Sequence, residues 1–447
     1  MREGNLEAPT RHPYDWTNPE FYDAGKLDAE LRRVFDICHG CRRCFNLCDS
    51  FPRLFDLVDE AGDSEVAGVS SSAFKTVADA CTLCDMCFMT KCPYVPPHPF
   101  AIDFPHLMVR YRAQELKQGK VGFADRQLTE TDRNGRLARL VAGLANWATR
   151  RGNRLTRPLL QAVAGIHRDA ELPTYSGQTF EHQAAEAPPA VNAAAPARGR
   201  KAVLFATCFV NYNTPEIGVA SRAVLAVNGV ETAIAYPGCC GMPQLEHGDL
   251  ERLAGTARAT AAAMAPWIEQ RYDIVVPVPS CALMMKFEWP LILPGDPAVE
   301  RLAAAVFDVS EYVVDIAGKE GLAPGLRPLE GGVTVHLACH SRAQNMGPKA
   351  AEMLRLLPDT KVSVVERCSG HGGSWGVKTE TFPIAMKNGQ PTVRQVAKNG
   401  SRHVCSECPL AATHLVQGLE GLDGGKAAGR VRAVHPIQLI AEAYALI

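Results

Sequence analysis

Cys38-His-Gly-Cys41-Arg-Arg-Cys44-Phe-Asn-Leu-Cys48 and, further on, Cys81-Thr-Leu-Cys84-Asp-Met-Cys87-Phe-Met-Thr-Lys-Cys92-Pro93 decide how the first hundred residues are read. Three cysteines, each three residues from the next, let a short loop wrap three corners of an Fe4S4 cube, and the fourth cysteine of such a run reaches the other cube. On that reading Cys38, Cys41, Cys44 and Cys92 hold one [4Fe–4S] cluster, while Cys81, Cys84, Cys87 and Cys48 hold a second. A pair of zinc sites is the alternative, but zinc usually takes two ligand pairs at wider spacing.

The second run has one residue more than the C-x2-C-x2-C-x3-C spacing before its last cysteine, and the first lacks a proline after Cys48. Neither change removes a ligand. Between the runs, FPRLFDLVDE and SSAFKTVADA place apolar residues three and four apart, the helical period. The expectation is an N-terminal extension over 1–30 and a two-cluster, α-helical ferredoxin module over 31–115.

The chain has 447 residues and 16 cysteines. A chain this long can bury a core without disulfide staples, so its cysteines read as metal ligands or redox groups in a reducing compartment. The first residues, MREGNLEAPTRHPYDW, lack the apolar stretch of a secretory signal. No apolar run reaches the roughly 20 residues that cross a bilayer. The expected compartment is the cytoplasm, with peripheral attachment to the inner face of a membrane as a second expectation.

The 47 Lys+Arg against 48 Asp+Glu give no overall pull toward nucleic acid. The balance is local: from 110 to 169 there are 13 Lys/Arg and five Asp/Glu. That stretch reads as amphipathic helices whose arginines are either a solvated face or a docking face for an acidic partner or membrane surface. The segment 116–200 is thus expected to be basic and helical, ending in an Ala/Pro-rich linker from about 183 to 200.

Beyond it two stretches, 201–330 and 331–447, repeat in outline. One runs KAVLFATC208, VETAIAYPGC239C240G241, YDIVVPVPSC281; the other runs GVTVHLAC339, KVSVVERC368S369G370, RHVC405SEC408P. Short β-branched runs alternating with helical stretches argue for parallel α/β packing, with cysteines at the carboxyl ends of strands. The whole chain is therefore expected to be α+β, a helical ferredoxin module followed by a duplicated α/β region. Overlaid by their cysteines, the halves set Val278 against Cys405 and Ser369 against Cys240, leaving four thiols in each. Cys208, Cys239, Cys240 and Cys281 would hold one metal site, and Cys339, Cys368, Cys405 and Cys408 another. Four thiolates suit either a [4Fe–4S] cluster or zinc.

The Cys-Cys-Gly loop, its Cys-Ser-Gly counterpart and the two ferredoxin runs together resemble the Cys-Cys-Gly iron–sulfur family. That family includes iron–sulfur subunits of heterodisulfide reductase, of anaerobic glycerol-3-phosphate dehydrogenase and of glycolate oxidase. The likeness spans about 31–115 and 201–447. It implies a subunit passing electrons between a flavin-bearing dehydrogenase partner and a quinone or disulfide acceptor. The disulfide-reducing members hold a non-cubane cluster through five cysteines, and neither half here keeps five. The stretch His336, Cys339, His340, Arg342 resembles the family's His-x-x-Cys-His-x-Arg, whose histidines are expected to hydrogen-bond rather than ligate.

There is no G-x-x-x-x-G-K-[ST] loop and no G-x-G-x-x-G opening a helix after a strand. No flavin or nicotinamide site and no catalytic triad or carboxylate pair is expected, so the substrate chemistry falls to another subunit. Two functional classes follow: an electron relay, or a self-contained heterodisulfide or thiol reductase using a cluster of the duplicated region.

Overall fold

The computed structural model describes residues 9–62, 64–422 and 431–447. The chain forms two compact units. One comprises Met1–Thr129, Gly241–Gly255 and Glu288–Gly295, the other Glu130–Cys240, Thr256–Phe287 and Asp296–Ile447.

In the first unit, α1 (Ala24–Cys41), α2 (Ser50–Asp59), α3 (Phe74–Ala80) and α4 (Phe104–Lys117) surround one core. No strand occurs among its described residues. Leu27, Leu31, Val34 and Phe35 of α1, with Phe51, Leu54, Phe55 and Val58 of α2, repeat three and four apart and are all buried. Phe35 meets Phe74 edge-on at 5.1 Å, and Phe51 lies 4.7 Å from Phe104. Each such buried side chain contributes about 1.5–3 kcal/mol. These aromatics fasten α1, α2, α3 and α4 around the two cysteine runs. The short α5 (Phe123–Leu128) follows.

The second unit opens with α6 (Thr131–Leu140), α7 (Ala142–Thr149), α8 (Thr156–Ala164) and α9 (Phe180–Glu186). The Ala/Pro-rich stretch after α9 is packed rather than an open tether. Ala195 and Ala197 are buried, and the Asn192 N–H donates to the Ala226 carbonyl at 2.9 Å.

The two repeats then run in the same order. The first has β1 (Lys201–Phe205), α10 (Cys208–Tyr212), α11 (Pro215–Val227), β2 (Glu231–Ala235), α12 (Met242–Glu246) and α13 (Leu250–Glu269). It continues through β3 (Asp273–Val276), α14 (Pro279–Leu283), α15 (Trp289–Ile292), α16 (Pro297–Ala305), β4 (Val306–Asp308) and α17 (Val309–Lys319). The second has β5 (Val333–His336), α18 (Cys339–Ala343), α19 (Lys349–Leu354), β6 (Val362–Val365), α20 (Phe382–Asn399), β7 (His403–Ser406), α21 (Pro409–Glu420) and α22 (Pro436–Ala443).

The sheets are parallel, in the orders β2-β1-β3-β4 and β6-β5-β7. Where the first sheet has β4, the second keeps a single parallel bridge, Cys405 to Val434. The fold is α+β with a duplicated α/β half. The halves also exchange helices: α17 of the first packs on α19 of the second, and α22 of the second packs on α11 of the first. Among the described residues no helix is long and apolar enough to cross a membrane.

Candidate iron–sulfur sites

Cys38 and Cys41 stand on the last turn of α1, which Arg42 ends by adopting a left-handed φ of 51°. The chain then turns back through Cys44. Cys38, Cys41 and Cys44 line one pocket together with Cys92 from the other run, against Phe51, Phe55 and Ile102. Burial, then the neighbouring thiols, push Cys38 well above the usual thiol range; burial likewise raises Cys44 to about 12 and Cys92 to about 11. Cys44 is buried and Cys38, Cys41 and Cys92 are partly so; a cationic iron–sulfur core would offset the burial that opposes thiolate formation at Cys38, Cys44 and Cys92.

The second run leaves α3 at Cys81 and passes through two left-handed residues, Leu83 and Asp85, with φ 49° and 63°. Burial pushes the Cys87 thiol well up, and Cys84, Cys81 and Cys48 add to it in that order. Each group of three thus has the fourth cysteine of the opposite run beside it. The extra residue before Cys92 is absorbed by a π turn over Cys87–Lys91, in which the Cys92 N–H donates to the Cys87 carbonyl at 2.8 Å.

Arg11 fixes this run from outside. Its guanidinium donates to Asp85, within the Cys84–Cys87 loop, at 2.8 and 3.0 Å, to Asp103 at 3.0 Å and to Glu288 at 3.0 Å. Its carbon also lies 4.3 Å above the Phe88 ring.

In the first repeat the cysteines lie where its parallel strands end. Cys208 opens α10 and Cys281 sits in α14. The Cys208 and Cys239 sulfurs are 3.8 Å apart, and Cys240 hydrogen-bonds Cys239 and Cys281. Those contacts, then burial, raise both Cys208 and Cys240 well above the usual range. Asp132 of α6 holds the loop between β2 and the cysteine pair: it accepts from the Cys239 N–H at 3.0 Å and from the Tyr236 hydroxyl. Gly241 ends the motif at φ 84°, and its counterpart Gly370 has φ 82°. A Cβ at Gly370 would come within 2.1 Å of the Ala385 carbonyl, so the turn requires glycine there.

The second repeat gathers its thiols less closely. Cys368 is exposed, with its sulfur 3.3 Å from the Gly370 N–H and Arg342 as its charged neighbour. Cys408 neighbours Glu407 and Cys281 of the first repeat. Cys405 lies not at the end of β7 but inside it, with Glu407 as its charged neighbour.

The ladders also correct the overlay by cysteines. Val203 pairs with Ile274 and Leu204 with Val275; the equivalent Thr334 and Val335 pair with Val404 and Cys405. Val275 therefore corresponds to Cys405, Val278 to Cys408 and Cys281 to Ala411. Matching cysteine to cysteine had shifted the comparison by three residues, about one helical turn.

His336 hydrogen-bonds rather than facing an open site. A carbonyl only accepts, so Nε2 donates to Arg367 at 2.9 Å, and Nδ1 accepts from the Ser406 hydroxyl at 2.8 Å. Burial holds its imidazolium form down to about 4. His340 Nδ1 meets Ser280 Oγ at 2.7 Å, joining the two repeats beside Cys281 and Cys339. Among the described residues, no three or more His, Cys, Asp or Glu side chains are drawn tightly enough to hold a single ion. Sequence reasoning missed Arg11 and Asp132. Neither lies in a motif, though Asp132 is conspicuous as an acid in an arginine-rich stretch.

This architecture matches the cysteine-rich domain twice, at residues 202–286 and 333–415. Both repeats are thus cysteine-rich domains, and the chain resembles the Cys-Cys-Gly iron–sulfur family. Among relatives in or near this family, a subunit of the anaerobic glycerol-3-phosphate dehydrogenase of Escherichia coli (strain K12) is 26% identical over 325 residues, 71% of this chain and 76% of the relative. Lactate utilization protein A of Bacillus pumilus is 28% identical over 215 residues, 46% of this chain and 85% of the relative. A subunit of the dihydromethanophenazine:CoB–CoM heterodisulfide reductase of Methanosarcina barkeri is 22% identical over 255 residues, 55% of this chain and 59% of the relative.

Proposed function

We propose that the protein is the iron–sulfur relay subunit of an oxidoreductase complex, carrying electrons between a flavin-bearing dehydrogenase partner and a quinone or similar acceptor. The observation that carries this reading is the crossed gathering of thiols, Cys38, Cys41 and Cys44 with Cys92, and Cys81, Cys84 and Cys87 with Cys48. Each set suits one [4Fe–4S] cluster, whose four irons take one thiolate each. Bound there, such a cluster supplies one-electron transfer; the protein's part is to bury it among Phe51, Phe55 and Ile102 and fix its ligands. Cys208, Cys239, Cys240 and Cys281 form a third set suited to a cluster, with zinc the alternative. A relay needs no substrate pocket of its own, in keeping with the absent nucleotide motifs. The runner-up, a thiol or heterodisulfide reductase, is disfavoured because neither repeat supplies five cysteines.

The test uses anaerobically purified full-length protein and low-temperature electron paramagnetic resonance after reduction. Cys92→Ser is expected to alter the signal of the cluster on Cys38, Cys41 and Cys44, and Cys48→Ser that of the other. Loss of the same signal in both variants would rule out the crossed assignment. Two electron-paramagnetic signals that a quinone analogue or flavoprotein cannot oxidise or reduce would rule out the relay.

A further inference from the structure

The helices α6, α7 and α8 carry apolar side chains on the side that faces away from the fold. Leu140, Leu144, Trp147, Leu155, Leu159 and Val163 are 50–77% exposed. Leu144 and Trp147 stand three apart on α7, and Leu155, Leu159 and Val163 stand four and four apart from the N-cap of α8 onward, so each set lies along one face; Leu140 is the last residue of α6. A helix packed on a soluble core points such a stripe inward.

The inward sides of these helices are instead tied by polar and small groups. On α6, Asp132 bonds the Cys-Cys-Gly loop, and Gly135 lies so close to Tyr212 that a Cβ would come within 2.3 Å of its ring. On α7, Asn146 exchanges hydrogen bonds with the Tyr175 backbone at 2.7 and 2.9 Å. On α8, the buried Arg157 donates to the carbonyls of Thr149, His167, Arg168 and Ala170. The outward stripes are therefore held in place by the fold.

Charge identifies what covers them. Residues 131–164 contain seven arginines and a single acid, Asp132, which is turned inward. Arg136, Arg150 and Arg154 are exposed beside the stripes. An apolar stripe with a tryptophan, flanked by cations and free of outward acids, is the composition of a helix lying in a lipid headgroup layer. We infer that α6, α7 and α8 form a platform that seats the protein on an anionic membrane surface, with leucine and valine side chains entering the acyl boundary and arginines meeting lipid phosphates. This surface does not depend on the clusters, so its failure would leave the relay reading untouched.

Flotation of the full-length protein with phosphatidylcholine vesicles, with and without phosphatidylglycerol, tests it. The protein is expected to float with the anionic vesicles and weakly with the neutral ones. Leu144→Ser/Leu159→Ser/Val163→Ser, all at exposed positions, should weaken flotation roughly tenfold or more while leaving the iron spectra unchanged. Arg150→Glu/Arg154→Glu should remove the preference for anionic lipid. Lipids with brominated acyl chains should quench part of the fluorescence, and Trp147→Phe should abolish that part. Failure to float, equal binding by the serine variant, or quenching indifferent to Trp147 would each overturn the proposal. So would binding of the same face only to an acidic protein.

Discussion

Asp132 and Arg11 each tie a cysteine loop to a distant part of its own unit, and each leaves buried groups stranded if removed. Asp132→Ala withdraws the acceptor from the Cys239 N–H and the Tyr236 hydroxyl, costing about 1–3 kcal/mol for the groups left without a partner. Denaturant unfolding should show that loss, and metal content should fall at Cys208, Cys239, Cys240 and Cys281 while the N-terminal signals persist. Asp132→Asn keeps an oxygen for the N–H and should restore most of it. A full loss of the N-terminal signals would place the defect elsewhere. Arg11→Ala leaves Asp85, Asp103 and Glu288 facing one another almost out of water, and breaking a buried ion pair in this way costs about 3–5 kcal/mol. Burial would raise the Glu288 carboxyl, but His106, Arg11 and Tyr14 pull it down to about 2 from an ordinary 4.5. Its stabilisation is therefore present above about 4.5 and lost as pH falls toward about 2. Acid unfolding of the helical unit should move to higher pH in Arg11→Ala; an unchanged acid midpoint would show that the arginine is not what holds these carboxylates.

Among the elements, the π turn over Cys87–Lys91 turns an irregularity of spacing into geometry. A single π turn takes in one residue while the chain on either side keeps its course. Deleting Thr90, whose side chain reaches only the Met86 carbonyl, restores the C-x2-C-x2-C-x3-C run. Both N-terminal signals are expected to survive that deletion, whereas inserting a further residue beside Thr90 should detach Cys92 and extinguish one. Loss of a signal on deletion would mean that the π turn itself aims Cys92. The helices of this unit were legible because Phe51, Leu54, Phe55 and Val58 carry the helical period, and the parallel strands because their β-branched runs lie between helices. Arg11 was not legible: its partners are 74, 92 and 277 residues away, and no local pattern carries such distances. The exposure of the α6–α8 stripes was equally hidden, since an outward and an inward leucine have the same periodicity. The position of Cys405 was obscured for a different reason: cysteines attract an alignment more strongly than the short, featureless strands that set the true register.

For the molecule as a whole, duplication has produced two unequal halves rather than two copies of one site. Cys208 and Cys339 correspond, as do Cys239 and Cys368, but the remaining thiols do not. Within β7, Cys405 lies between Val335 of β5 and Val434 across the neighbouring bridge, and parallel neighbours in register share a face. It is 1% exposed and takes the place that Val275 holds in the first sheet. We therefore expect Cys339, Cys368 and Cys408, rather than Cys405, to serve any site in the second repeat, against four gathered thiols in the first. Metal analysis of the full chain separates the roles. Cys240→Ser should remove about four irons, one cubane's worth, if the first repeat holds a cluster. Cys405→Val, a substitution of a small buried apolar group by another, should change neither iron nor zinc content nor the reduced spectra, and should cost less than about 1.5 kcal/mol. Intact full-length protein is the proper material, because Gly241–Gly255 and Glu288–Gly295 of the first repeat belong to the N-terminal unit and a cut near residue 200 would divide it. A loss of metal in Cys405→Val equal to that in Cys240→Ser would restore Cys405 as a ligand and require β7 to open on binding.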